Sequence, residues 1–90
     1  MRDHRPCIRA LLYVVQFHDD PPASDAVEHA LTTVVRRHAL DANADQYLWA
    51  VRAALASDEK LSTLIPQSHS EARVRAFLRE VENRLAAELS

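Results

Sequence analysis
From Val74 onward the apolar positions fall at Val74, Phe77, Leu78, Val81, Leu85 and Leu89, with charged residues between them. A spacing of three and four residues is the period of a helix with one face turned to a core. It predicts a helix from near His69 to Leu89. Ser68 stands three residues before Glu71, a capping-box spacing. Glu71–Arg75 and Glu80–Arg84 are i, i+4 pairs in the favourable orientation. The same period recurs upstream. Val27, Ala30, Leu31 and Val34, with Val35 at one edge, predict a helix from near Ser24 to Ala39. Ser24 or Asp20 would cap it, with Asp25 and Glu28 toward its positive end and Arg36, Arg37 and His38 toward its negative end. Tyr47, Leu48, Val51 and Leu55 predict a third helix from Ala44 to Ala56, opened by Asn43 with Gln46 three residues on. Trp49 falls off that stripe, on the side of Ala53 and Ala56. Leu61, Leu64 and Ile65 mark a short helical turn that Pro66 ends.

The first segment differs. Pro6 suits the opening position of a helix running to His18, and Ile8, Leu11, Leu12 and Val15 make one stripe. Yet Cys7, Ala10, Val14 and Phe17 point elsewhere, so the segment is apolar nearly all round. Such a helix belongs at the centre of a core or against a partner. Its "LLYVVQF" is also rich in strand-forming residues, which leaves a strand as the alternative over residues 11–17. The following "HDDPP" reads as a stop: Asp20 before a proline is driven from helical backbone, and His18 suits the negative end of the helix before it. Four helices joined by short connections predict a compact, antiparallel, all-α bundle of four to five helices, one domain over residues 1–90.

Composition narrows the chemistry. The chain contains no glycine. Phosphate-cradling loops, dinucleotide-binding turns and nucleophile elbows of the usual kind all require it. A net charge of −2 supplies no strong field toward nucleic acid or anionic lipid. A chain of 90 residues buries only about 60–65% of its unfolded surface, so self-association through the first helix would supplement a small core. The single cysteine, Cys7, points to a reducing compartment. The basic-then-apolar start resembles a weak signal peptide, but Gln16, Phe17 and His18 stand where small residues should precede cleavage. The expected location is cytoplasmic, with no membrane partner. Arginine in place of lysine, Lys60 excepted, and abundant alanine point to a GC-rich bacterial genome.

Four kinds of site remain to weigh. Five histidines raise the question of a metal, with His4 and Cys7, or Asp25 and His29, as suggestive pairs. No HExxH or paired Glu-x-x-His spacing is present, so no metal or cofactor is expected. Cys7 would be a nucleophile only with a base nearby and a lowered pKa. Helices two and three loosely resemble a helix-turn-helix. The turn glycine is missing, however, and Asp45 stands where a recognition helix meets phosphate, so nucleic acid is disfavoured. Arg73, Arg75, Arg79 and Arg84 alternate with Glu71, Glu80 and Glu82 and make no clean basic stripe. Protein recognition stays open. Trp49 is the sole tryptophan, and tryptophan and arginine dominate interface hot spots. Arg52, Arg36, Arg37 and His38 are the candidate companions, with His38 either at a core edge or at an interface. The competing structural role for Trp49 is packing on the Leu61/Leu64/Ile65 plug. The expected function is a small, non-enzymatic helical protein of inhibitor, immunity or adaptor type that binds another protein. The alternatives are a DNA-binding regulator using the second and third helices, and a metal- or cysteine-dependent enzyme.

Overall fold
The computed structural model describes residues 3–36 and 43–89. Among these residues the fold is all-α. Helix α1 spans Arg5–Val15, α2 Ser24–Ala30, α3 Ala44–Ala56 and α4 Glu71–Leu89; a π turn, Leu31–Val35, continues α2, and a 3₁₀ turn, Leu61–Thr63, lies between α3 and α4. No strand occurs among the described residues; residues 11–15 belong to α1 and 16–17 to the turn after it, so the strand alternative falls. The Cα radius of gyration is 11.6 Å, against about 12 Å expected for a single globule of this length.

One apolar cluster joins all four helices. Ile8, Leu11, Leu12 and Val15 come from α1, Val27 and Leu31 from α2 and its π turn, Tyr47 and Val51 from α3, and Phe77, Leu78, Val81 and Leu85 from α4. Leu61 and Ile65 close it from the α3–α4 connection. The helix periods predicted this core closely, with small shifts. Ala50 and Ala54 are fully buried on α3 while Leu55 is only partly so, and Leu89 at the end of the α4 stripe is 43% exposed. Cys7, Ala10 and Val14 pack against the core edge. The apolar excess of the first segment is therefore left on Tyr13, 57% exposed, and Phe17, 89% exposed.

Three boundaries correct the sequence reading. Helix α1 stops at Val15, three residues early, and the His18 N–H closes a turn onto the Val15 carbonyl at 3.0 Å. The second helix does not run on as α-helix. The Arg36 N–H reaches back five residues to the Leu31 carbonyl at 2.9 Å. Thr32, Thr33, Val34 and Val35 are consecutive β-branched residues, which crowd an α-helical turn. The wider turn brings both Val34 and Val35 onto the core, each 3% exposed. The third correction is at the caps. Neither Ser24 nor Asp20 caps α2, whose N-cap is Ala23 with no side-chain bond. Helix α4 begins at Glu71, and its first turn is bonded by the Ser70 hydroxyl, which accepts from the Arg73 N–H at 3.2 Å. The Asn43/Gln46 box forms as predicted, with both reciprocal bonds present.

Helices α3 and α4 make the most extensive contact in the molecule. They run antiparallel, since Arg52 pairs with Glu82 while Leu55 is bonded by Arg75. Phe77 is fully buried in α4. Phe77→Ala is expected to lower unfolding stability by about 3–5 kcal/mol, a large part of the roughly 5–13 kcal/mol available to a chain of this size. Urea unfolding followed by circular dichroism measures it; a loss under about 1 kcal/mol would contradict this core assignment.

Candidate functional site
Among the candidate residues, Trp49 and Arg52 lie on α3, where the Asn43 cap fixes the start of the helix and therefore its phase. Three residues apart, they are neighbours on one helix surface. Trp49 is partly buried and packed against the core cluster. It thus combines a seat in the fold with remaining exposed area. The Arg52 side chain is 56% exposed, with Nε 3.2 Å from a Glu82 carboxylate oxygen on α4.

Arg36 stands elsewhere. Its guanidinium bonds Glu28 and the Thr32 hydroxyl on its own helix and reaches Glu88 on α4 at 2.7 Å. Glu28 also accepts from Arg84 at 3.0 Å, and Arg84 donates to the Ser24 hydroxyl at 2.7 Å. Arg84 therefore serves α2 and not the i, i+4 partner Glu80 expected from the sequence. The bonded Arg36 guanidinium holds the Glu28 carboxyl below its usual range, and Glu28 and Glu88 in return raise Arg36. Glu82 and Glu88 are six residues apart on α4, about 9 Å along the axis and about 120° around it. Arg52 and Arg36 therefore meet different sides of that helix and do not form one basic patch. Arg37 and His38 lie outside the described residues.

The densest polar constellation was not among the sequence candidates. Arg75 and Glu71 sit one turn apart on α4 and pair at 2.8 Å. Arg75 also donates to the carbonyls of Leu55, Ser57 and Glu59 at 3.2, 3.0 and 3.0 Å. The Glu71 carboxylate accepts from the Leu61 and Ser62 N–H groups at 3.1 and 2.8 Å. Burial alone would raise this carboxyl; the Ser62 and Leu61 bonds and Arg75 outweigh it and hold it low. Arg75, Glu71, Leu55 and Ser57 line a polar pocket of about 330 Å³ with Asp58, Glu59 and Lys60. Each bond of Arg75 and Glu71 is spent on the chain itself, so the constellation is architectural. The sequence signalled only the pair, not its reach across the connection. Glu59 ties α1 to the same connection through His4 and, at 3.3 Å, Arg5; the bonded His4 imidazole chiefly holds Glu59 low.

Burial raises the Cys7 thiol, the opposite of what a nucleophile needs, and Tyr47, whose hydroxyl is pushed up to about 12 chiefly by burial, lies close enough to couple to it. His4, of the suggestive His4/Cys7 pair, is engaged by Glu59, and no group of three or more metal-ligating side chains converges among the described residues. The chain matches no family model, no curated protein and no solved structure.

Two outcomes follow. Glu71→Gln should lose about 1–3 kcal/mol of stability at pH 7, because an amide cannot accept two N–H bonds and an arginine together. The native Glu71 carboxyl is held low, so its contribution is complete above the ordinary glutamate value of 4.5 and disappears as pH falls through the native value. Urea midpoints of the two proteins should converge on acidification; a constant gap down to pH 2 would contradict this role. Cys7 should be alkylated by iodoacetamide at neutral pH more slowly in the folded chain than in urea. Faster labelling of the folded state would restore the nucleophile reading.

Proposed function
We propose that this chain is a non-enzymatic binding protein whose α3 surface, anchored by Trp49 and Arg52, covers part of another protein in the manner of an inhibitor, immunity protein or adaptor. The observation that carries the reading is the position of the sole tryptophan. Trp49 is packed against the core on one side and partly exposed, with the exposed Arg52 beside it. A tryptophan held in place by its own fold loses little side-chain freedom on binding, and its large apolar area then yields more net affinity. Arg36 contributes less than the sequence suggested, because its guanidinium already bonds two carboxylates.

The arginine contacts also weigh against the DNA-binding alternative. Arg5, Arg36, Arg52, Arg73, Arg75 and Arg84 each pair with a carboxylate of the chain. Phosphate contacts would have to displace those carboxylates. No helix is long and apolar enough to cross a membrane among the described residues. A cytoplasmic partner is the proposed context.

In pull-downs from the source organism, Trp49→Ala should lose the partner that the wild-type chain retains, with a melting temperature within about 4–8 °C of wild type, the equivalent of about 1 kcal/mol. Arg52→Glu, at an exposed site, tests the same surface without touching the core. Retention of the partner by both folded variants would overturn the α3 surface. A Trp49→Ala chain that unfolds, with an Arg52→Glu chain that binds normally, would make Trp49 purely structural.

A further inference from the structure
The turn after α1 brings two histidines together. His18 Nε2 lies 3.1 Å from His29 Nδ1, and the rings meet edge to face with centroids 5.4 Å apart. His29 is exposed in the last turn of α2, and His18 is half-buried. Nothing in the proposed α3 surface uses this pair. Zinc binds imidazole nitrogen at about 2.0–2.1 Å in a tetrahedral shell, which sets two such nitrogens about 3.3–3.4 Å apart. The observed separation is within a few tenths of an ångström of that edge. In the hydrogen-bonded pair one nitrogen carries the shared proton. A metal replaces that hydrogen bond when the donor ring moves its proton to its other nitrogen and both rings turn, so that the two lone pairs converge on an ion beside the line joining them; the ion adds its own positive charge to the site.

Two ligands leave half a tetrahedron empty, and no third metal-ligating side chain of the described residues converges with them. The surroundings supply the reason for a second copy. Phe17 directly precedes His18 and is 89% exposed, and Tyr13, one turn earlier on α1, is 57% exposed. Both are apolar groups that the fold leaves in water. Asp19, Asp20 and Asp25 flank the two histidines in sequence, with Asp20 held by Arg73 at 3.3 Å. Asp19 adjoins His18 and Asp25 stands one turn before His29 on α2, both exposed, so a cation between the copies would offset negative charge that each brings. A two-fold contact repeats the same patch on both partners, which turns two nitrogens into four.

We propose that His18 and His29 form half of a divalent transition-metal site that a second copy of this chain completes, burying Phe17 and Tyr13 in the same two-fold contact. The contact is independent of the α3 surface, and its test reads mass and metal rather than partner capture. The experiment is sedimentation velocity on the untagged full chain in EDTA and in zinc, with metal content measured on the separated species. The expected result is a monomer of 10.2 kDa in EDTA and a dimer in zinc holding one ion per two chains. His29→Ala should remain monomeric in zinc with an unchanged helical spectrum. Phe17→Ser should raise the zinc concentration needed for dimerisation, with zinc uptake and dimer mass shifting together. A chain that takes up no zinc, a monomer that holds zinc alone, or a dimer that persists in EDTA or in His29→Ala would each overturn the proposal.

Discussion
The α3–α4 connection has to be held without glycine, and Arg75 is what holds it. A helix commonly ends on a glycine in left-handed backbone, which turns the chain and lets its own N–H groups reach the last carbonyls. Here α3 ends at Ser57 in extended backbone, φ −87° and ψ 162°. That geometry leaves carbonyls of the last turn without local partners. Ala54 is satisfied by the Ser57 N–H and hydroxyl. Leu55, Ser57 and Glu59 are satisfied by one guanidinium from α4. Glu71 answers for the donors, taking the Leu61 and Ser62 N–H groups at the 3₁₀ turn. The two side chains also bond each other, so the connection is fastened to the first turns of α4 from both polarities. With it fixed, Leu61 and Ile65 seat in the core, and the broad α3–α4 contact keeps its register.

The remaining charges work differently. Glu28, Arg36, Arg84 and Glu88 link α2 to α4 across exposed surface. Exposed ion pairs contribute little stability each, typically about 0–1 kcal/mol. Their effect here is on arrangement. Arg84 bonds both Ser24 and Glu28, one turn apart on α2, and Arg36 bonds both its own helix and Glu88. Shifting α4 along α2 by a turn would break these contacts together. A small core of interchangeable aliphatic side chains tolerates several packings, and charged contacts at the rim select one. The same selection holds Arg36, Arg52 and Arg84 against carboxylates on α2 and α4 and keeps Arg36 and Arg52 off a common face.

Features that close within a few residues were legible in the sequence, and features that close across the fold were not. The Asn43/Gln46 box and the limits of α3 follow from side chains bonding backbone three residues away, so a short window contains every partner. The core stripe of α4 follows from helix period alone. By contrast, the Ser68 to Glu71 spacing resembles a cap, but Glu71 is drawn to the Leu61 and Ser62 amides and Ser70 takes over the capping. Glu80–Arg84 has suitable spacing, but Glu28 and Ser24 on another helix compete for Arg84. The π turn is a compromise between β-branched crowding and the burial of Val34 and Val35, and burial is a tertiary term. Of the candidate site, Trp49 and Arg52 emerge as neighbours because both lie on one well-capped helix. Arg36 lies on another helix, and its place is set by Glu88, a partner that no short window contains.

The apolar excess of the first segment resolves in a similar way. Most of it is absorbed, because α1 touches α2, its π turn and α3, and neighbours on several sides can accept an apolar helix. What is not absorbed lies on Tyr13 and at the end, where α1 stops at Val15 and Phe17 is carried into the turn. A phenylalanine left in water forgoes about 1.5–3 kcal/mol that burial would contribute. The early stop that strands Phe17 is the same event that swings His18 toward His29. An α-helix continued through His18 would have kept both side chains in the phase of the α1 surface. Local backbone choice before the double proline thus places an aromatic ring and a pair of imidazole nitrogens at one corner of the fold.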